Sequence, residues 1–190
     1  HYTPQLRVII ASARAQGLKI PLLWNSSAYE KVETLKSLNQ LVDIYLPDLK
    51  YSHGVYAKKY SHAADYPEVA LDAIREMYSQ VGPLSVDADG IAQKGVLVRL
   101  LVLPQGLSGT EHNLRRLADE IGTEVPVSLM GQYYPAGDAG QHSELGRGIN
   151  RDEYQKVLDT ANELGFSNVY VQEISSNDFW TPKFHKEQHD

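Results

Sequence analysis

The chain has 190 residues, is 42% hydrophobic, contains no cysteine and carries a formal net charge of −6. That length and apolar content predict one domain over residues 1–190, and an acidic balance without a basic block argues against nucleic acid or an anionic membrane as the main partner. With no apolar run near the roughly 18 residues of a membrane span and no signal-peptide pattern, the cytoplasm is the expected compartment; without cysteine, these residues can form no disulfide, thiolate nucleophile or thiolate-held metal.

Helical and strand patterns alternate along the chain, the signature of βα units stacked about a parallel sheet. Residues 4–16 predict an amphipathic helix stopped by Gly17, and 20–25 a strand. Residues 29–41 predict a helix and 43–50 a strand. A helix over 66–80 places Val69, Ala73, Ile74 and Met77 on one face, with Gly82 as its stop. A strand over 95–103, a helix over 110–121 opening on a Ser/Thr cap, a strand over 125–133, a helix over 151–164 and a strand over 168–173 complete five strands and five helices. The Gly-rich stretch 136–148 predicts a mobile rim loop, and the tail 175–190, with Trp180 and Pro182, a poorly ordered or partner-docked end. Because a helix precedes the first strand, 20–25 is expected to form a sheet edge unless something upstream pairs with it. The expected architecture is α/β, an incomplete parallel (β/α) barrel of the TIM-barrel type with about five strands.

The segment VDIYLPDLKY, residues 42–51, ends an apolar strand face on two charges. Alternation puts Ile44, Leu46, Asp48 and Lys50 on one side. Removing a carboxylate and an ammonium from water is costly unless they pair or meet a charged ligand. A structural salt bridge and a ligand clamp at the C-terminal rim of a parallel sheet both satisfy that demand. In KGVLVRLLVLP, Arg99 shares a face with Leu97, Leu101 and Leu103 and needs an anion, either Asp48 or a ligand carboxylate or phosphate. Asn25, Ser26 and Ser27 end IPLLWNSS, and Gln132 and Tyr133 end VSLMGQYY, so polar residues gather at one end of several strands. Asn25 to Ser27 equally suit an N-cap for a helix starting near Tyr29. His53, His62 and His112 show no compact metal spacing and read as loop or surface residues. The twelve tyrosines are scattered over the elements and suggest no stacking platform.

The runs PLLWNSSAYE, DIYLPDLKY, KGVLVRLLVLP, GLSGT and SLMGQYYPA, in this order, resemble the C-terminal two-thirds of radical S-adenosylmethionine proteins similar to pyruvate formate-lyase activating enzyme, and most of all its uncharacterised activase branch. The resemblance covers residues 1–180. It implies a partial (β/α) barrel of six strands and a 4Fe-4S cluster on a CxxxCxxC loop, whose open iron binds the amino and carboxylate groups of S-adenosylmethionine. One-electron reduction then cleaves the sulfonium, and in activating enzymes the resulting radical takes hydrogen from a glycine of a partner enzyme. Asp48, Leu49 and Lys50 match the family's DLK motif, whose members touch the ribose and carboxylate of the cosubstrate. Asn25, Ser26 and Ser27 fall near a TNG-like segment lining the site, and Arg99 matches an Arg before a VVPG-like turn. Gln132 and Tyr133 stand where activating enzymes carry a Tyr-His pair, so the second position departs from the family.

The larger departure is that this chain has neither CxxxCxxC nor a Gly-Gly-Glu segment, so it cannot hold the cluster in the usual way. The resemblance therefore implies a portion of a complete radical enzyme, whose cluster ligands lie elsewhere. Its implied partners are a glycyl-radical enzyme or another protein substrate and an electron donor such as flavodoxin or ferredoxin. The alternatives are a cluster-less nucleoside- or protein-binding relative, a barrel aldolase with Lys50 as the Schiff-base amine, or a hydrolase using Asp48 with His53 or His62 on a metal.

Overall fold

The computed structural model describes residues 2–171. The tail 175–190, with Trp180 and Pro182, and the end of the strand predicted over 168–173 lie outside the described residues.

The chain opens with α1 (Thr3–Ala15), whose first turn holds Pro4, where a missing N–H costs nothing. Helix α1 buries none of its residues, leaving Val8 and Ile9 exposed. Strand β1 (Leu23–Ser26) leads to α2 (Val32–Lys36), shorter than the helix predicted over 29–41. Lys31 is extended at ψ 135° and Gln40 takes a left-handed φ of 65°, which together confine α2 to little more than one turn. Then come β2 (Ile44–Pro47), α3 (Gly54–Ser61) and α4 (Tyr66–Val81), which ends at Gly82 as its pattern predicts. Helix α3 is an addition to the predicted elements, as is β3 (Ser85–Val86), while its antiparallel partner β4 (Ala92–Val96) takes in the start of the strand predicted over 95–103. The remaining elements are β5 (Val98–Leu101), α5 (Thr110–Glu120), β6 (Val127–Met130), α6 (Arg151–Glu163) and β7 (Val169–Val171).

Two sheets form, β1-β2-β4-β3 and β5-β6-β7, with every pair parallel except β3 with β4. They are one series broken at Leu97. Strand β2 pairs with β4 through Ile44 opposite Gly95, and a single bridge carries it onto β5, where Asp48 faces Arg99 and Leu49 N donates to Arg99 O at 2.8 Å. The break follows from Gly95, whose φ is 120° and whose missing Cβ would lie 2.3 Å from Pro83 O. Only glycine admits that approach of the backbone before β3. The strands thus run in chain order, β1, β2, β4 with β5, β6, β7, as successive βα units give. No closure into a barrel is formed among the described residues. The TIM-barrel expectation therefore reduces to a mixed α/β fold with parallel sheets.

Alternation along β2 sorts its side chains. Tyr45, Pro47 and Leu49 are buried on the helix side, Tyr45 fully, while Leu46, Asp48 and Lys50 remain partly open on the other. Leu71, Ile74 and Met77 of α4 belong to the same apolar cluster, as do Leu114 and Leu117 of α5 and Tyr154 and Val157 of α6. Every residue of β6 is buried, as expected of a central parallel strand. Helix α6 begins with a capping box between Asn150 and Glu153. Helix α5 lacks the predicted Ser/Thr cap: its N-cap is Gly109 at φ 63°, and Ser108 Oγ instead accepts from Leu103 N at 3.2 Å and meets Thr110 Oγ1 at 2.8 Å. The stretch predicted as a mobile loop contains two short 3₁₀ turns, 137–141 and 143–145, and buries Leu145. No helix among the described residues is long and apolar enough to cross a membrane.

Candidate functional site

Three neighbouring strands bring Asn25, Asp48 and Arg99 together where β1 and β2 end, against the first half of β5. Arg99 Nε donates to Asp48 Oδ1 at 2.7 Å, and one of its terminal nitrogens donates to Asn25 Oδ1 at 2.9 Å. That same nitrogen lies 2.6 Å from Asp48 Oδ1, while Lys50 Nζ approaches Oδ2 at 3.6 Å. Arg99 thus takes one oxygen of the carboxylate, as the charge-pairing expectation requires. The Lys50 contact is too long for a hydrogen bond, so its ammonium retains donors to offer elsewhere. Two cations surround one carboxylate, and the group keeps an unbalanced positive charge that suits an anionic ligand. The Asp48 side chain is only 16% exposed, so little solvent intervenes.

The other predicted residues fall less evenly. Leu49 points into the core, and its contribution to the rim is the backbone bond to Arg99. Ser26 Oγ accepts from Ala28 N at 2.9 Å and bonds the Glu30 carboxylate, which also takes Trp24 Nε1 at 3.0 Å. Ser26 therefore ties the turn after β1 rather than capping α2, whose N-cap is Lys31. Ser27 is exposed, and its carbonyl faces the Tyr66 hydroxyl at 3.0 Å. Gln132 Nε2 lies 3.9 Å from Met130 Sδ, and Tyr133 donates to Leu145 O at 3.0 Å. Among the described residues, no hydrogen bond joins Gln132 or Tyr133 to the Asp48 cluster.

Tyr66 is a site residue that sequence reasoning missed. Its hydroxyl donates to Asp48 O at 2.7 Å, lies within reach of Ser27 O and accepts from Lys50 N at 3.0 Å. A single phenol therefore joins the ends of β1 and β2 and fixes the segment that presents Asp48 and Lys50. Burial and the nearby Asp48 charge push this phenol's pKa upward, keeping it protonated as a donor. Nothing local in the sequence marks Tyr66, because its partners lie 16 to 39 residues away.

The tyrosines are more organised than the sequence suggested. Tyr51 meets Tyr66 edge-on with ring centroids 5.7 Å apart and Tyr60 at 6.4 Å, while Tyr56 stacks on Tyr60 at 6.2 Å. Tyr56 and Tyr60 are one turn apart on α3, the helix absent from the predicted elements. Beside Lys50, a cavity of about 360 Å³ is lined by Tyr51, Tyr60, Tyr133, Leu101 and Leu103. His53 and His112 stack at 5.2 Å, and His62 ends α3 in a left-handed conformation. Among the described residues no three His, Cys, Asp or Glu side chains are grouped to hold a metal.

In open parallel α/β sheets small ligands generally bind beyond the C-terminal ends of the strands, the edge at which Asn25 and Asp48 stand. No family model matches the sequence. An uncharacterised protein of Methanocaldococcus jannaschii is 25% identical over 168 residues, which is 88% of this chain and 46% of that protein. The chain thus spans about half the length of that curated relative. Among solved structures, a domain of pyruvate-formate lyase-activating enzyme from Bacteroides vulgatus shares the fold, with a TM-score of 0.61 over 90% of this chain and 92% of that one, at 16% identity.

Proposed function

We propose that the chain is part of a radical S-adenosylmethionine protein of the activating type, and that Asn25, Asp48, Lys50 and Arg99 form the rim facing the cosubstrate. The observation that carries this reading is the grouping of one carboxylate with two cations at the strand ends of a fold shared with an activating-enzyme domain. Asp48 would accept from ribose hydroxyls through Oδ2, the oxygen that Arg99 leaves free. Lys50 would offset the carboxylate of the amino-acid moiety. Arg99 pairs with Asp48 and orients it, and Asn25 fixes the guanidinium. Leu49 acts through its backbone, Ser26 and Ser27 through the turn after β1, and Gln132 and Tyr133 from the end of β6. S-adenosylmethionine, when bound, supplies a sulfonium that one-electron reduction can cleave.

The residues present do not fit the 4Fe-4S cluster, since the chain has no cysteine. The reading therefore requires cluster ligands from outside these 190 residues, an electron donor such as flavodoxin or ferredoxin, and a glycyl-radical enzyme or another protein as hydrogen donor. The domain assignment over 1–190 belongs to the same proposal and is supported by one apolar cluster reaching from α2 to α6. A second reading is a cluster-less nucleoside- or protein-binding relative, supported by the Asn25–Arg99–Asp48 hydrogen bonds, which pair the carboxylate and the guanidinium with each other.

Calorimetric titration with S-adenosylmethionine tests the rim. Binding that weakens at least tenfold, about 1.4 kcal/mol, in both Asp48→Asn and Lys50→Met supports the assignment. Unchanged affinity in both variants removes it.

A further inference from the structure

The tyrosine-lined cavity beside Lys50 shares Lys50 and Tyr133 with the proposed rim, but its ring-lined interior is not used by the rim contacts. We infer that it is a second subsite, built for a small flat carboxylic acid whose ring enters the cavity and whose carboxylate reaches Lys50. The inference rests on the proposed function, since it names the substrate class of that same site.

The chemistry of the walls carries the argument. All three phenol hydroxyls are already committed within the protein: Tyr51 meets Ser61 Oγ at 3.0 Å, Tyr60 donates to Glu144 at 2.9 Å and Tyr133 donates to Leu145 O at 3.0 Å. What these residues present to the cavity is therefore ring surface. Leu101 and Leu103 add aliphatic surface. Stacked and edge-on contacts on tyrosine rings favour a planar apolar group over a polar, hydrated one. At about 360 Å³ the cavity lies near the low end of the about 300–1,000 Å³ range of small-molecule sites.

Charge decides the other end of the ligand. Lys50 lines the cavity, and among the described residues its ammonium is held only by the 3.6 Å contact to Asp48, whose other oxygen belongs to Arg99. An ammonium has three donors, so a ligand carboxylate can share Lys50 with the cosubstrate carboxylate without breaking the Asp48–Arg99 pair. Asp138, the acid at the mouth, is exposed and already accepts from Gln141 Nε2 at 2.8 Å. His142 packs edge-on against Tyr60 at 5.3 Å and closes the side formed by the 3₁₀ turns.

The test uses phenylacetate as the probe, with phenylacetamide as its neutral isostere and adenosine as a competitor, read by saturation-transfer NMR on the full chain. Phenylacetate should bind at least tenfold more tightly than phenylacetamide. Lys50→Met should abolish that difference, and Ala139→Trp, which fills the cavity from a half-buried loop position, should abolish binding of both. Circular dichroism confirms that each variant is folded. Asp48→Asn should leave phenylacetate binding within twofold while weakening S-adenosylmethionine, so the subsite and the rim can fail separately. Equal binding of acid and amide, binding that survives Ala139→Trp, or displacement of phenylacetate by adenosine would overturn the inference.

Discussion

Replacing Tyr66 with Phe removes one oxygen and leaves the buried ring in place. In the native protein that oxygen donates to Asp48 O and accepts from Lys50 N, at 2.7 and 3.0 Å, with the residue 3% exposed. Each net hydrogen bond contributes about 1 kcal/mol, and a stranded buried amide or carbonyl costs about 1–3 kcal/mol. Lys50 and Asp48 lie at the rim, where water can relieve part of that cost, so the expected loss is about 2–3 kcal/mol. For a chain of this length, about 2–4 °C accompanies each kcal/mol, which places the fall in Tm at roughly 4–12 °C. Urea unfolding followed by circular dichroism reads the change directly, with an unchanged m-value showing that only stability has moved. A loss below about 0.5 kcal/mol would mean that the phenol does not hold the β1 and β2 ends together, and the positioning role assigned to it would be wrong.

Three further outcomes follow from separate features. Gly109→Ala should destabilise by about 2–4 kcal/mol, because its φ is 63° and the new Cβ would lie 1.8 Å from Ser52 Oγ; adding Ser52→Gly should recover the steric part, and no recovery in urea unfolding would refute the clash. Glu153 pairs with Arg147 and accepts from the amides of Asn150 and Gln105, which hold its pKa at about 2 in the fold. Its unfolded value is about 4.3, so its stabilisation is complete above about pH 4.5 and disappears as the pH falls toward 2. Glu153→Gln should therefore flatten the fall of stability across that window, and an acid profile identical to the parent would contradict the assignment. Arg99→Met should release Asn25 and leave Asp48 with Lys50 alone, lowering stability by about 1–3 kcal/mol; a neutral change in thermal unfolding would show the Asp48–Arg99 pair to be dispensable.

The parts of the fold legible in sequence were those with a strong local period. Helices α4, α5 and α6 carry long apolar stripes bounded by Gly or a capping residue, and each lies within a residue or two of its expected span. Helix α3 was not legible because only Ala57 of its eight residues is buried, leaving no apolar stripe to read. The β3–β4 pair is set by a turn in which Asp87 Oδ1 accepts from Asp89 N and Ile91 N, a polar local signal between strands too short to show alternation. Strand 95–103 was expected to run unbroken, and the break at Leu97 depends on the Pro83 backbone lying against Gly95.

At the site, alternation put Asp48 and Lys50 on one face as the structure has them, and the need of Arg99 for an anion left Asp48 and a ligand as alternatives, of which Asp48 makes the contact. The Asn25 contact and the Tyr66 hydroxyl depend on neighbours brought close by the sheet, with partners 74 and 18 residues away, so neither could be read locally. Ser26 illustrates the reverse: residue type suggested a helix cap, while the side chain bonds its own turn and Glu30. The tyrosine cluster became visible only once α3 was known to place Tyr56 and Tyr60 on one face.

The most direct test of the central claim is a crystal structure of the protein with S-adenosylhomocysteine, a stable analogue that retains the ribose and the amino-acid carboxylate. The account predicts ribose hydroxyls within hydrogen-bond distance of Asp48 Oδ2 and the carboxylate within ion-pair distance of Lys50. A ligand seated away from the strand ends, or none at saturating concentration while the Asp48–Arg99 pair stays intact, would contradict it.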